Sequence, residues 1–154
     1  MKNAGEVAVN TMDYVTDFEK NSISLLRHAD KIFDTDSHSE LPPTLQRLFG
    51  QSNSRSKIVE FLNVFAFHSI RPVVRHQPNC ACLGADENVF SNLLKLALNG
   101  QDNEAMILGS LLVRGHKIST LVEKATVVAL LIDAVLKNNE SEFYKSTMTQ
   151  KYLN

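Results

Sequence analysis

Two histidines and two cysteines in the middle of the chain are the residues whose types could bind a metal. Cys80 and Cys82 stand one residue apart, and His76 and His68 precede them. Thiolate sulfur combined with imidazole nitrogen in a tetrahedral arrangement is the ligand chemistry of zinc. One hypothesis is therefore a zinc site formed by His68, His76, Cys80 and Cys82.

The same residues also fit simpler interpretations. Structural zinc sites more often use two cysteine pairs, and a single Cys-x-Cys matches no standard ligand pattern. Both cysteines could instead be small buried apolar residues, with His76 at the surface. A disulfide across this spacing would be strained and would close almost no loop, which excludes a secreted disulfide scaffold. The C-x-x-C spacing of thioredoxin-like sites is missing.

Basic residues in the same region could instead bind an anion. Residues 1–40 carry four basic and eight acidic side chains, whereas residues 47–76 carry five basic side chains and Glu60 as the one acidic residue. A helix that continued through Pro72 would place His68, Arg71 and Arg75 on one face, where they could hold a carboxylate or phosphate. The alternative is that the acidic first segment packs near the basic one and both remain solvated.

Other candidate sites have structural explanations. Asp86 and Glu87 are adjacent, so they do not face each other on a helix, and acidic residues in a first turn favour the positive end of the helix dipole. We expect them to stabilise the start of a helix. Gly109 interrupts a good helical segment, which indicates the close approach of another helix.

Composition and charge indicate a folded globular protein. The chain has 154 residues, 44% hydrophobic and 21% charged, which suits one folded domain of residues 1–154. A net charge of −1 makes a nucleic-acid partner unlikely in our interpretation. The sequence shows no signal peptide, membrane span or motif of a known enzyme class, so we expect a cytoplasmic protein and favour a non-enzymatic one. An enzyme without such motifs remains an alternative.

Apolar spacing of three and four residues along most of the chain predicts an all-α fold of about six helices. The predicted helices cover about residues 11–33, 43–49, 54–71, 85–98, 102–113 and 117–137. Residues 77–84 are expected to be irregular. Residues 1–10 and 139–154 are expected to be flexible or exchangeable arms.

The predicted helix over residues 117–137 carries two apolar stripes rather than one. The first stripe contains Ile118, Leu121, Val122, Ala125, Val128, Ile132 and Val135, and the second contains Val127, Leu130, Leu131 and Ala134. Two stripes predict burial on two sides. We expect other helices of the chain to cover the second stripe, with a homodimer interface as the alternative.

These observations favour a compact helical bundle that acts as a non-enzymatic interaction or regulatory protein, forming a homodimer or binding another protein. The alternative function is a metal- or small-anion-binding domain at residues 68–82, with zinc as the one cofactor considered. No membrane partner is expected.

Overall fold

The structure is a computed structural model that describes residues 8–152 of the chain, without the side chain of Tyr152. The elements run in the order β1 Ala8–Thr11, α1 Asp17–Arg27, α2 Ala29–Phe33, α3 Pro43–Phe49, α4 Ser54–His68, β2 Cys82–Gly84, α5 Ala85–Leu98, α6 Asp102–Gly109 and α7 Ile118–Tyr152. The described chain is mostly helical, which confirms the predicted all-α bundle. The ends of both predicted arms, residues 1–7 and 153–154, lie outside the described residues.

The N-terminal region differs from the single long helix expected over residues 11–33. Helix α1 begins only at Asp17, because Thr16 forms a capping box in which its hydroxyl accepts from the Glu19 amide and the Glu19 carboxylate accepts from the Thr16 amide. The helix then breaks at His28. Tyr14, which lies within the predicted helix, is outside α1 and exposed.

A small antiparallel sheet replaces the predicted start of that helix. Strand β1 pairs with β2, with Thr11 opposite Cys82 and Ala8 opposite Gly84. The Met12 amide extends the contact by donating to the Ala81 carbonyl over 2.8 Å. Strands this short carry no sustained alternation of apolar and polar residues, so the sequence pattern could not indicate them.

Helix α7 packs with one side against the rest of the bundle and contacts α1, α3, α4, α5 and α6. Its first apolar stripe is buried as predicted, with Leu121, Ala125 and Val128 fully inaccessible. Three phenylalanine rings, those of Phe61, Phe65 and Phe90, pack together with centroids 5.3–5.6 Å apart. Two of these rings belong to α4, which is therefore an anchor of the core.

Helix α7 is also much longer than expected, because it continues to Tyr152 instead of ending near Lys137. Residues 116–154 contain no glycine or proline, and therefore no residue that strongly terminates a helix. Helix α6 is shorter than expected and ends at Gly109. None of the described helices is both long enough and apolar enough to span a membrane.

Candidate functional site

The most buried charged group of the described chain is an ion pair between the last residue of α1 and the first turn of α5. Arg27 donates from Nε to Oε1 of Glu87 over 2.7 Å and from Nη2 to Oε2 over 2.9 Å. Their side chains are 2% and 0% exposed. Buried charges are costly unless they are paired and hydrogen-bonded, and this two-bond geometry meets that requirement.

Arg27 also holds the segment that contains the cysteines, which we call the cysteine loop (residues 76–82). Its Nη1 donates to the Cys80 carbonyl over 2.8 Å, and its Nη2 donates to the Cys82 carbonyl over 2.7 Å. One guanidinium group therefore joins α1, α5 and both ends of the Cys-x-Cys unit.

Glu87 completes the anchoring of the loop from the other side. Its carboxylate accepts hydrogen bonds from the amides of His76 and Gly84, over 2.8 and 3.0 Å. Burial alone would raise the pKa of Glu87, but the hydrogen bonds from Arg27, Gly84 and His76 outweigh it and lower the pKa to about 2. The group is therefore a carboxylate at neutral pH. The Gly84 contact confirms the predicted role of Glu87 at the start of its helix.

The structure joins Cys80 and Cys82 as a disulfide, which neither interpretation from the sequence expected. Their Cα atoms lie 5.5 Å apart, within the distance that a disulfide ordinarily spans. Cys82 begins strand β2, and Ala81 lies exposed between the two cysteines. The interpretation of both cysteines as buried apolar residues is wrong, since each is only half-buried and the two are joined to each other.

The four residues of the predicted zinc site are not brought together. His76 contacts Glu87, whereas the His68 ring packs on the His116 ring with centroids 5.8 Å apart. Sulfur atoms joined to each other are not thiolate ligands, so the oxidised loop offers no thiolate. Within residues 8–152, no three side chains of His, Cys, Asp or Glu are grouped to hold a metal ion. Zinc binding by the reduced chain stays a prediction.

The predicted anion site required a helix through Pro72, and α4 ends at His68. Arg71 instead forms a two-bond ion pair with Asp86, over 2.7 and 2.8 Å. Arg75 donates to Asp30 over 2.5 Å. Asp30 belongs to the acidic N-terminal region, so this contact matches the alternative in which acidic and basic segments pack near each other.

A different basic cluster surrounds His68. The Arg114 amide donates to the His68 carbonyl over 3.0 Å, and the Lys117 amide donates to the Arg114 carbonyl over 2.9 Å. Desolvation and the positive charges of Lys117, His116 and Arg114 lower the pKa of His68. This cluster could not be predicted from local spacing, because α4 and the start of α7 are distant in sequence.

The second apolar stripe of α7 faces solvent, so the expectation that the chain itself covers it is wrong. Val127 and Leu130 are 41% and 54% exposed, and Ala134 is exposed too. Leu131 is half-buried against the core. The core uses the opposite side of the helix, where the first stripe contacts the surrounding helices.

The exposed stripe continues along the rest of α7. Every residue from 140 to 151 is exposed, and we call this segment the C-terminal arm. Three- and four-residue spacing places Val127, Leu130, Ala134, Lys137, Ser141, Tyr144 and Met148 on one side of the helix, and we call this set the outer stripe. Tyr144 and Met148 are 70% and 52% exposed.

Arg27 is a functional candidate that was not among the residues predicted from the sequence. It lies four residues after the fully buried Ile23, on the apolar side of α1. A charged residue at a core-facing position needs a buried partner, and this periodicity was the available signal. Its partner lies sixty residues away and could not be read from local spacing.

Comparison with known proteins gives no further assignment. No family model, no curated protein and no solved structure matches this chain.

Proposed function

We propose that this chain is a non-enzymatic helical interaction protein that forms a homodimer through the outer stripe of α7. The observation that carries the proposal is the exposure of an apolar stripe along the longest helix of the described chain. An amphipathic helix at the surface of a bundle requires one apolar face, and α7 already uses that face for the core. Exposed apolar residues grouped along one side of a helix are typical of an interaction site.

The length of the stripe suits a helix-to-helix contact. From Val127 to Met148 it extends about 32 Å along the helix axis, at about 1.5 Å per residue. Its spacing alternates between three and four residues, which is the pattern of helices that pair along a seam. A second copy of α7 presents the same stripe, so a twofold contact would be self-complementary.

Charge and side-chain size favour an antiparallel arrangement of the two copies. In a parallel pair, Lys137 would face Lys137 of the second copy within the seam. In an antiparallel pair, Lys137 lies beside Ser141 and Glu140 of the second copy instead. Leu130 then packs against Met148, and Ala134 against Tyr144, so that the arm of each copy covers the exposed apolar residues of the other.

The first experiment measures the mass in solution. Light scattering at low micromolar concentration should give twice the 17.2 kDa of one chain. Leu130→Glu places a charge in the seam and should give a monomer. Ile107→Glu is the matched control, because Ile107 is an apolar residue on α6 that is at least as exposed as Leu130 and lies outside the stripe. A monomeric wild type, or equal effects of the two variants, would end the proposal.

The second experiment tests the arrangement. Lys137→Glu should weaken the dimer, since the new carboxylate would lie beside Glu140 of the second copy. Adding Glu140→Lys should restore the dimer. In a parallel pair the double variant would remain weak, because the ammonium group introduced at position 140 would then approach Lys145 of the second copy. Sedimentation equilibrium of the single and double variants distinguishes the two arrangements.

A second candidate function, the binding of a small anion, is favoured by the basic cluster around His68. Residues 8–152 contain no carboxylate within 4 Å of the charged nitrogens of Arg114 or Lys117. Four basic side chains held together repel one another, and a phosphate or carboxylate placed among them would relieve that repulsion. This site shares His68 with the anion site predicted from the sequence. It has Arg114, His116 and Lys117 in place of Arg71 and Arg75.

Inorganic phosphate is a direct probe of this candidate. A bound anion should raise the lowered pKa of His68, measured from the imidazole resonances as pH is varied with and without phosphate. Arg114→Ala should remove that response. Sodium chloride at equal ionic strength is the control for screening. An equal rise of the pKa in chloride and phosphate would exclude a specific site.

A further inference from the structure

We propose that Cys80 and Cys82 form an exchangeable disulfide, which dithiols reduce and disulfide compounds restore, without unfolding the chain. This inference is independent of the dimer, because it concerns the cysteine loop and not α7. It assigns a redox site to a segment that the sequence left open between a zinc site and two small buried apolar cysteines.

The two cysteines lie in an exposed part of the surface. Each is half-buried, whereas the residues from Gln77 to Asn79 that precede them are exposed, as is Ala81 between them. Thiol–disulfide exchange requires a thiolate to approach a sulfur atom, so an accessible bridge at a surface loop can react where a bridge within a core cannot.

The loop is held in place by contacts that do not involve sulfur. Arg27 binds the carbonyl groups of both cysteines, and the Cys80 amide donates to the Gln77 carbonyl over 3.0 Å. Cys82 also pairs with Thr11 in the sheet. Because these contacts fix the backbone on both sides of Ala81, the loop keeps its shape when the sulfur–sulfur bond opens.

The disulfide contributes little to the stability of the fold. A disulfide stabilises a fold chiefly by restricting the unfolded chain, and the effect grows with the size of the loop that it closes. This bridge closes a loop of three residues, the cysteines included. Opening it therefore removes little stability, and the two thiols remain close enough to form the bond again.

The exchange conserves atoms and electrons. A thiolate of an external dithiol attacks one cysteine sulfur, the Cys80–Cys82 bond breaks, and its electron pair goes to the other sulfur, which takes up a proton. The second thiol of the reagent then displaces the first cysteine from the mixed disulfide, and that cysteine is also protonated. The dithiol has lost two electrons and two protons, and the cysteine pair has gained them.

The experiment places the full-length chain in mixtures of reduced and oxidised dithiothreitol of graded ratio. After acid quenching, free thiols are labelled with a maleimide and the intact mass is measured. The number of labels per chain should rise from zero to two with the ratio of reduced to oxidised reagent. The same curve should be obtained starting from the oxidised and from the reduced chain. Cys80→Ser should carry one label per chain in reduced reagent and form no internal bridge.

Circular dichroism of both forms completes the test. Helical content should be unchanged on reduction, and the melting temperature should move by no more than about 6 °C, as expected for so small a loop. Two labels at every ratio would show that no bridge forms, and zero labels at every ratio would show an inert one. Either labelling result would overturn the proposal. Unfolding of the chain on reduction, or reoxidation that links two chains covalently, would overturn it too.

Discussion

Arg27 and Glu87 are sixty residues apart in the sequence, and their side chains meet over 2.7 Å with almost no exposure to solvent. Arg27 supplies donors to the cysteine loop and Glu87 accepts from the loop and from its own helix start. The pair thus connects α1, α5 and the loop through charge-assisted hydrogen bonds. Such bonds are stronger than neutral ones and fix the geometry of the groups that share them.

Loss of the charge on Glu87 should strongly destabilise the fold. In Glu87→Gln, Arg27 remains buried without a counter-charge, which costs about 3–5 kcal/mol in comparable pairs. Urea unfolding at pH 7 measures the change in the free energy of unfolding. A variant that no longer unfolds cooperatively has lost an amount at the upper end of this range. Glu60→Gln is the control, because Glu60 is exposed and loss of its surface pair with Lys124 should change the free energy of unfolding little. Equal losses in both variants would contradict the importance of the buried pair.

The carboxylate of Glu87 should make the free energy of unfolding depend on pH. Since the folded-state pKa of Glu87 is about 2 and its ordinary value is 4.5, its contribution is present above pH 4.5 and is lost as pH falls to about 2. The free-energy difference between wild type and Glu87→Gln should narrow by about 3 kcal/mol over this range. Unfolding curves at several pH values measure it. A difference that does not change with pH would show that Glu87 titrates normally.

Much of the fold could be predicted because the determinants are local. Pro43 begins α3, and the Asn99-Gly100 sequence ends α5, with Gly100 at a φ of 72°. The second stripe of α7 was predicted from its residues, and only its covering was wrong. A periodic pattern shows that a face is apolar, but it does not show whether the same chain has another element left to cover it.

The parts that could not be predicted depend on distant contacts. Strand β1 exists because residues 82–84 lie beside it, and Arg27 is satisfied by a residue of α5. Neither relation leaves a regular spacing in the sequence. The C-terminal arm is different, because apolar periodicity weakens after Asn138 while the helix continues. Its helical character follows from the absence of a terminating residue rather than from packing.

Gly109 explains why α6 and α7 approach closely, as its position in the sequence predicted. A Cβ atom at Gly109 would lie 3.3 Å from Cδ2 of Leu121 and 3.5 Å from Cγ2 of Ile118. Gly109→Leu should therefore lose about 1–3 kcal/mol of unfolding free energy through overpacking. Gly109→Ala should change it by less than about 1 kcal/mol, because the gain in helix propensity offsets the tight contact.

Thermal unfolding of the Gly109 variants measures these changes. Gly115→Leu is the control, because a Cβ atom at that glycine would have no heavy atom within 4 Å. A Gly109→Leu variant as stable as the control would show that the two helices can separate without cost.

The C-terminal arm should respond to protein concentration. A helix with every side chain exposed gains nothing from packing, and an isolated helix of about 12 residues is marginal in water. In the monomer, the backbone amides of residues 141–151 should therefore exchange with deuterium rapidly. In the proposed dimer, Tyr144 and Met148 lie on α7 of the second copy, so the same amides should become protected. Hydrogen exchange followed by mass spectrometry at low and high concentration measures the difference, with α5 as a reference whose protection stays constant. Protection that is the same at both concentrations would show that the arm has no partner in a second copy, and the outer stripe would then need a different protein to cover it.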